Sequence, residues 1–82
     1  MYSDEDNIRL YPNPTNNLWH AVFSQTTNVL AQLYDISGRI VFEFKGYDLN
    51  EFDIPAKDLL PGIYFLKIAS DAQSYNIKLI KD

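Results

Sequence analysis

Leu59-Leu60-Pro61-Gly62-Ile63-Tyr64-Phe65-Leu66-Lys67-Ile68 is the stretch that decides the fold class. Pro61-Gly62 is a turn signal. The residues after it are β-branched, aromatic and alternating, which is the pattern of a strand and not of a helix. Alternation places Tyr64, Leu66 and Ile68 inward and lets Lys67 reach solvent. Leu59, just before the turn, is placed to plug a core. A second run of the same kind, Tyr75-Asn76-Ile77-Lys78-Leu79-Ile80, follows a hairpin loop over Ser70 to Ser74. The sequence then stops at Lys81-Asp82. A module that ends on a strand, with no active-site loop beyond it, is suited to presenting that strand to a partner.

Upstream, short apolar runs recur roughly every 8–12 residues between Gly, Pro, Asn, Asp and Ser, the spacing of an antiparallel sandwich. Ile8 to Tyr11 alternates as a first strand. Pro12 and Pro14 fix φ and remove two donors, so Pro12 to Asn17 reads as a rigid turn. Leu18 to Phe23 is a second strand and Gln25 to Asn28 a polar turn. Val29, Ala31 and Leu33 face inward on a third. Asp35-Ile36-Ser37-Gly38-Arg39 is a hairpin turn in which Gly38 can take positive φ. Ile40 to Phe44 returns, Lys45 to Asp48 turns again, and Glu51 to Ile54 is a short strand with Phe52 and Ile54 on one face. Pro55 to Asp58 is a connection with room for one helical turn. The expected fold is all-β: an immunoglobulin-like antiparallel β-sandwich of about seven strands.

The 82 residues suffice for one domain, because a second core needs about 50 residues of its own. Residues 1–7 read as a polar leader or linker and residues 8–82 as the domain. Met1 reads as a start residue on a fragment, and the acidic opening lacks the basic and apolar regions of a signal peptide. No apolar run approaches the ~20 residues that span a bilayer as a helix. Without cysteine there is no disulfide framework, thiolate metal site or cysteine nucleophile. A net charge of −4, with seven basic residues scattered from Arg9 to Lys81, argues against nucleic-acid binding. The six Tyr, five Phe and one Trp supply the core area that so short a chain needs.

Chemistry is sparse. His20, the one histidine, has no nucleophile signature near it and reads as an exposed or hydrogen-bonded strand residue. Asp4, Glu5, Asp6 and Asn7 are oxygen donors without the spacing or turning glycine of a calcium loop. Asp48, Glu51 and Asp53 crowd one short strand, where a glycosidase pair would need to face across a cleft. All of these read as solvated acidic surface. No phosphate loop is present. No catalytic residue, cofactor or metal ligand is therefore expected. Trp19, Tyr47 and Tyr75 are expected to be exposed, where they could stack on a sugar ring, although large aromatics pack inward by default.

Several motifs, in order, carry a resemblance. They are Leu10-Tyr11-Pro12-Asn13-Pro14, then Leu33-Tyr34-Asp35-Ile36-Ser37-Gly38-Arg39-Ile40-Val41, then the Leu59–Ile68 stretch, then Lys78-Leu79-Ile80-Lys81. Together they resemble the type A C-terminal sorting domain of the type IX (Por) secretion system of Bacteroidota, over residues 8 to 82. The resemblance implies an immunoglobulin-like, non-enzymatic secretion signal at the end of a cargo protein. Such a domain directs its cargo from the periplasm through the outer-membrane shuttle and translocon. A sortase-like peptidase then usually removes it and attaches the cargo at the surface.

Carried onto this chain, the matching positions are Pro12, Asn13, Pro14, Asp35, Gly38, Arg39, Gly62, Tyr64, Lys78 and Lys81. Most of them have a fold-maintaining reading. Asp35 can bond the turn backbone while Gly38 and Gly62 supply unusual φ, Tyr64 needs a partner for its hydroxyl, and Pro12, Asn13 and Pro14 set the first turn. Arg39, Lys78 and Lys81 carry charge that a sandwich does not need. With Leu79, Ile80 and Asp82 they are the partner-recognition candidates. The last strand would be extended by a partner or, in an isolated domain, by a second copy as an edge-strand dimer. The competing reading is a carbohydrate-binding or adhesion module of a secreted enzyme, using Trp19 or Tyr47.

Overall fold

The computed structural model describes residues 3–5, 8–71 and 73–82, with side chains from residue 8 onward. These form one antiparallel sheet of six strands: β1 (Ser3–Glu5), β2 (Ile8–Tyr11), β3 (Leu18–Tyr34), β4 (Ile40–Pro55), β5 (Gly62–Ser70) and β6 (Ser74–Lys81). Among the described residues no helix is long and apolar enough to cross a membrane.

The long hairpin β3/β4 organises everything else. The first half of β3 pairs with β2, Tyr11 opposite His20, while its second half pairs with β5, Leu33 opposite Leu66. Strand β4 accompanies β3 along both halves. Strand β6 pairs with β5 and is the outermost strand on that side. The sheet curls so that its two halves meet face to face. Trp19 on β3 packs edge-on against Tyr64 on β5, with ring centroids 6.2 Å apart. Phe23 packs against Phe52 and against Tyr75 of β6.

Parity explains the core. Trp19, Ala21 and Phe23, then Val29, Ala31 and Leu33, are buried along β3. Tyr64, Leu66 and Ile68 on β5, and Tyr75, Ile77 and Leu79 on β6, are buried in the same alternating way. Phe52, Ile54 and Ala56 close the core from the other edge, and Leu59 packs against it as expected. Each large side chain withdrawn from water contributes about 1.5–3 kcal/mol, which is how a short chain offsets its conformational entropy.

The expected all-β class holds, but the strand count does not. Two segments read as turns, Gln25–Asn28 and Lys45–Asp48, lie inside β3 and β4. They flank each other across the hairpin, where register shifts fall between Val22 and Thr27 and between Thr27 and Val29. The Asp48 N–H donates to Asn28 Oδ1 at 3.0 Å, and Asp48 itself has a φ of 52°. Turn-forming residues on both strands thus make a bend with bulges, not a reversal, and four expected strands become two. Strand β1 is a further difference: within the expected leader, Ser3, Asp4 and Glu5 pair with Leu10, Arg9 and Ile8. The remainder of that leader lies outside the described residues. Pro55 to Asp58 leads into a turn closed by the Leu59 N–H on the Ala56 carbonyl, at 3.1 Å.

Candidate recognition surface

Two side-chain clusters fasten the last strand, and a third organises a hairpin turn. The first is Asn13. Its amide donates to the Lys78 carbonyl at 3.3 Å, and its Oδ1 accepts from the Ile80 N–H at 2.9 Å. One residue past Pro14, the Thr15 N–H donates to the Ile80 carbonyl and the Asp82 N–H donates to the Thr15 carbonyl. Thr15 is itself buried, its hydroxyl bonded to the Leu18 carbonyl. The outer edge of β6 is therefore covered from Lys78 to Asp82. The half from Ser74 to Asn76 has no strand beside it among the described residues.

The second cluster is Lys81, which is only 7 % exposed. Its ammonium donates to the carbonyls of Ala56 at 2.6 Å, Leu59 at 2.9 Å and Lys57 at 3.4 Å. A buried ammonium needs such partners, because an unpaired charge away from water is costly. Lys81 thus ties the last strand to the turn before β5. The expectation that its charge has no structural use is corrected.

The third is the Asp35–Arg39 hairpin turn. The Asp35 carboxylate accepts from the Ser37 hydroxyl at 2.6 Å and from the N–H groups of Ser37 and Arg39 at 2.9 and 3.0 Å. Arg39 Nε lies 3.3 Å from its other oxygen. The Ser37 hydroxyl, with the Arg39 N–H next, holds the Asp35 carboxyl below its ordinary value. Gly38 sits at a φ of 88° and Gly62 at 151°, both in the region that side chains avoid. Tyr64 donates its hydroxyl to the Leu60 carbonyl at 2.5 Å, the partner its burial requires.

The second and third motifs come together in space. Ile36, Arg39, Val41, Asp58, Leu60 and Ile63 are among the residues lining an open cleft of about 350 Å³. Leu60 at 80 % and Ile36 at 78 % are the most exposed large apolar side chains described.

The recognition candidates divide. Lys78 and Asp82 are exposed, Ile80 is half-buried, and Leu79 is core. Arg39 reaches into solvent beside the cleft. Of the aromatics expected at the surface only Tyr47 is there, 68 % exposed; Trp19 and Tyr75 are buried, because both share the inward parity of their strands. Trp19 Nε1 has no hydrogen-bond partner among the described residues. His20 is the hydrogen-bonded strand residue expected, with Nδ1 2.5 Å from Asp53 and Nε2 3.4 Å from Glu51. No group of three or more His, Asp or Glu side chains among the described residues converges as a metal site. The Asp4–Asn7 side chains lie outside the described ones.

Sequence reasoning missed two of these roles, and both had a signal. Lys81 continues the inward parity of Tyr75, Ile77 and Leu79. Asn13 sits between two residues that cannot donate a backbone hydrogen, and its side chain supplies both a donor and an acceptor.

A small all-β module emerges whose best-organised side chains secure its own last strand and bring two loops into one apolar cleft. Its class is that of a folded recognition or signal domain. Residues 9–82 match the secretion system C-terminal sorting domain, and the chain belongs to that family, the C-terminal sorting domains of type IX secretion. No curated protein matches it.

Proposed function

We propose that this domain acts, without catalysis, as a folded export signal that delivers an N-terminally attached cargo to the type IX outer-membrane shuttle and translocon. Family membership over residues 9–82 carries this reading. The curled sheet is then the immunoglobulin-like sandwich of the family, with residues 8–82 the signal and residues 1–7 the join to the cargo. A sortase-like peptidase removes the domain once the cargo crosses the outer membrane, and the cargo stays at the surface or is released. Arg39, Lys78, Ile80 and Asp82 supply the partner contacts. Leu79, Lys81, Pro12, Asn13, Pro14, Asp35, Gly38, Gly62 and Tyr64 keep the signal in shape. Pairing of isolated domains through β6 would use the Ser74–Asn76 edge, since the rest of that edge is covered.

The alternative, a carbohydrate module, keeps Tyr47 as its platform and loses Trp19, which is fully buried. The experiment is a fusion of residues 1–82 to the C-terminus of a periplasmically exported fluorescent protein, in a host with a type IX system and in its translocon-null mutant. Release or display only in the competent host is the expected result. Retention of an intact, folded fusion in both hosts would overturn the sorting reading and make a glycan screen the next step.

A further inference from the structure

The outer face of the β3–β5–β6 half carries an apolar strip that the core does not use. On β5, Ile63 and Phe65 point away from the buried Tyr64 and Leu66 and are 42 % and 46 % exposed. The register places Ile80 of β6 opposite Ile63, and Tyr34 of β3 opposite Phe65. Ile40 of β4, half exposed, lies opposite Tyr34 in turn. The strip runs into the cleft through Ile63, which lines both.

Its cations distinguish it from ordinary surface. Lys78 lies opposite Phe65, and its ammonium has no carboxylate partner among the described residues. Lys67 follows Phe65 on the same face, its ammonium 5.9 Å from the centre of the Tyr34 ring. Of the acidic groups nearby, Glu43 accepts from Gln32 at 2.8 Å and Asp35 holds its own turn and Arg39, while Asp58 lines the cleft and exposed Asp82 lies beyond Ile80. In a chain with net charge −4, this is an apolar strip edged by two lysines, neither of them paired with a carboxylate among the described residues.

We infer that the Ile63–Phe65 strip, edged by Lys67 and Lys78, is the docking face for an apolar patch rimmed with Asp or Glu on a protein of the export machinery. The inference rests on the sorting reading above. Charge complementarity selects the occupant. A second copy of this chain would bring lysine against lysine and one acidic body against another. An anionic bilayer gains only a little from each basic residue near its surface, and a body of net charge −4 opposes that approach. An acidic-rimmed protein surface satisfies the lysines, and the apolar centre supplies the buried hot spot that interfaces are built around.

The test uses the same reporter fusion. F65S, K78E and the pair F65S/K78E are compared with the control pair Y47S/K45E, which alters exposed residues of the β3/β4 bend. Folding of each fused domain is verified by its urea midpoint. Export of the double variant is expected to fall about tenfold or more, as for loss of an interface hot spot, with K78E alone intermediate and the control unchanged. Export of a folded F65S/K78E fusion at the wild-type level would overturn the docking face and leave the sorting role intact. Failure of the wild-type fusion would overturn the sorting role itself. Binding of the isolated domain to vesicles of anionic lipid, lost in K78E, would replace the protein partner with a membrane and so also overturn the inference.

Discussion

The Lys81 ammonium donates to the Ala56 carbonyl at 2.6 Å, joining the last strand to the turn that follows β4. Leu59 and Lys57 carbonyls complete its surroundings, so one cation gathers three carbonyls of the turn, of which Ala56 also accepts from the Leu59 N–H. Methionine at this position fills similar space and donates nothing. Lys81→Met is expected to cost about 1–3 kcal/mol, the penalty for stranding buried acceptors, and to lower the melting temperature by several degrees, since about 4–8 °C accompany each kcal/mol in a domain of this size. Arginine keeps the charge but not the compact point geometry, and Lys81→Arg should fall between the two. Urea titration at constant m-value is the measurement. Full stability in Lys81→Met would return Lys81 to the contact surface.

Asn13 does for the edge of β6 what another strand would do, with one side chain. Asn13→Ala removes a donor to the Lys78 carbonyl and an acceptor for the Ile80 N–H. The expected loss is about 1–2 kcal/mol for two modest hydrogen bonds. Amide exchange locates it better than melting does. The Ile80 amide should exchange much faster in the variant, while Leu79, whose amide faces β5 by alternation, should change only as global stability does. Equal acceleration at both positions would mean that Asn13 supports the whole sheet and does not specifically cover its edge.

How far the sequence could be read depends on what each residue's neighbours decide. The Leu59–Ile68 stretch states its own structure: turn, alternation and inward face all follow from adjacent residues, and Tyr64, Leu66 and Ile68 are buried as alternation requires. The same alternation would have placed Trp19 and Tyr75 inside, and the expectation of exposed aromatics set it aside. Lys81 obeys the alternation too, but its partners are carbonyls of residues 56, 57 and 59, which no local pattern announces. The bends at Gln25–Asn28 and Lys45–Asp48 have turn composition. That they fall side by side and become one corner is decided by β3/β4 pairing across the hairpin, beyond the reach of propensity.

Asp35 makes folding pH-dependent with a definite sign. Its carboxyl is held below the ordinary 3.8 in the folded state, chiefly by the Ser37 hydroxyl. A depressed folded value means the unfolded chain binds the proton more readily. The contribution is therefore fully present above the unfolded value and fades as pH falls through the lowered folded one. Urea midpoints of the wild type and Asp35→Asn, taken from neutral pH into the acid range, should converge at the acid end. A constant difference across the range would show that the hairpin turn does not depend on the Asp35 charge.

Trp19 offers the cheapest check on which aromatic faces the solvent. It is the single tryptophan of the chain and is fully buried against Tyr64. Its emission should be blue-shifted and almost insensitive to iodide, and should become quenchable through the same urea transition that unfolds the sheet. Trp19→Phe keeps a ring but leaves a gap, and a loss of roughly 1–3 kcal/mol is expected because the tightly packed core fills it only in part. A glycan array on the folded domain completes the comparison. Binding abolished by Tyr47→Ala would support the carbohydrate reading on the one exposed ring it retains. Strong iodide quenching of the native protein would instead mean that Trp19 leaves the core and that the inward parity of β3 fails at its first turn of alternation.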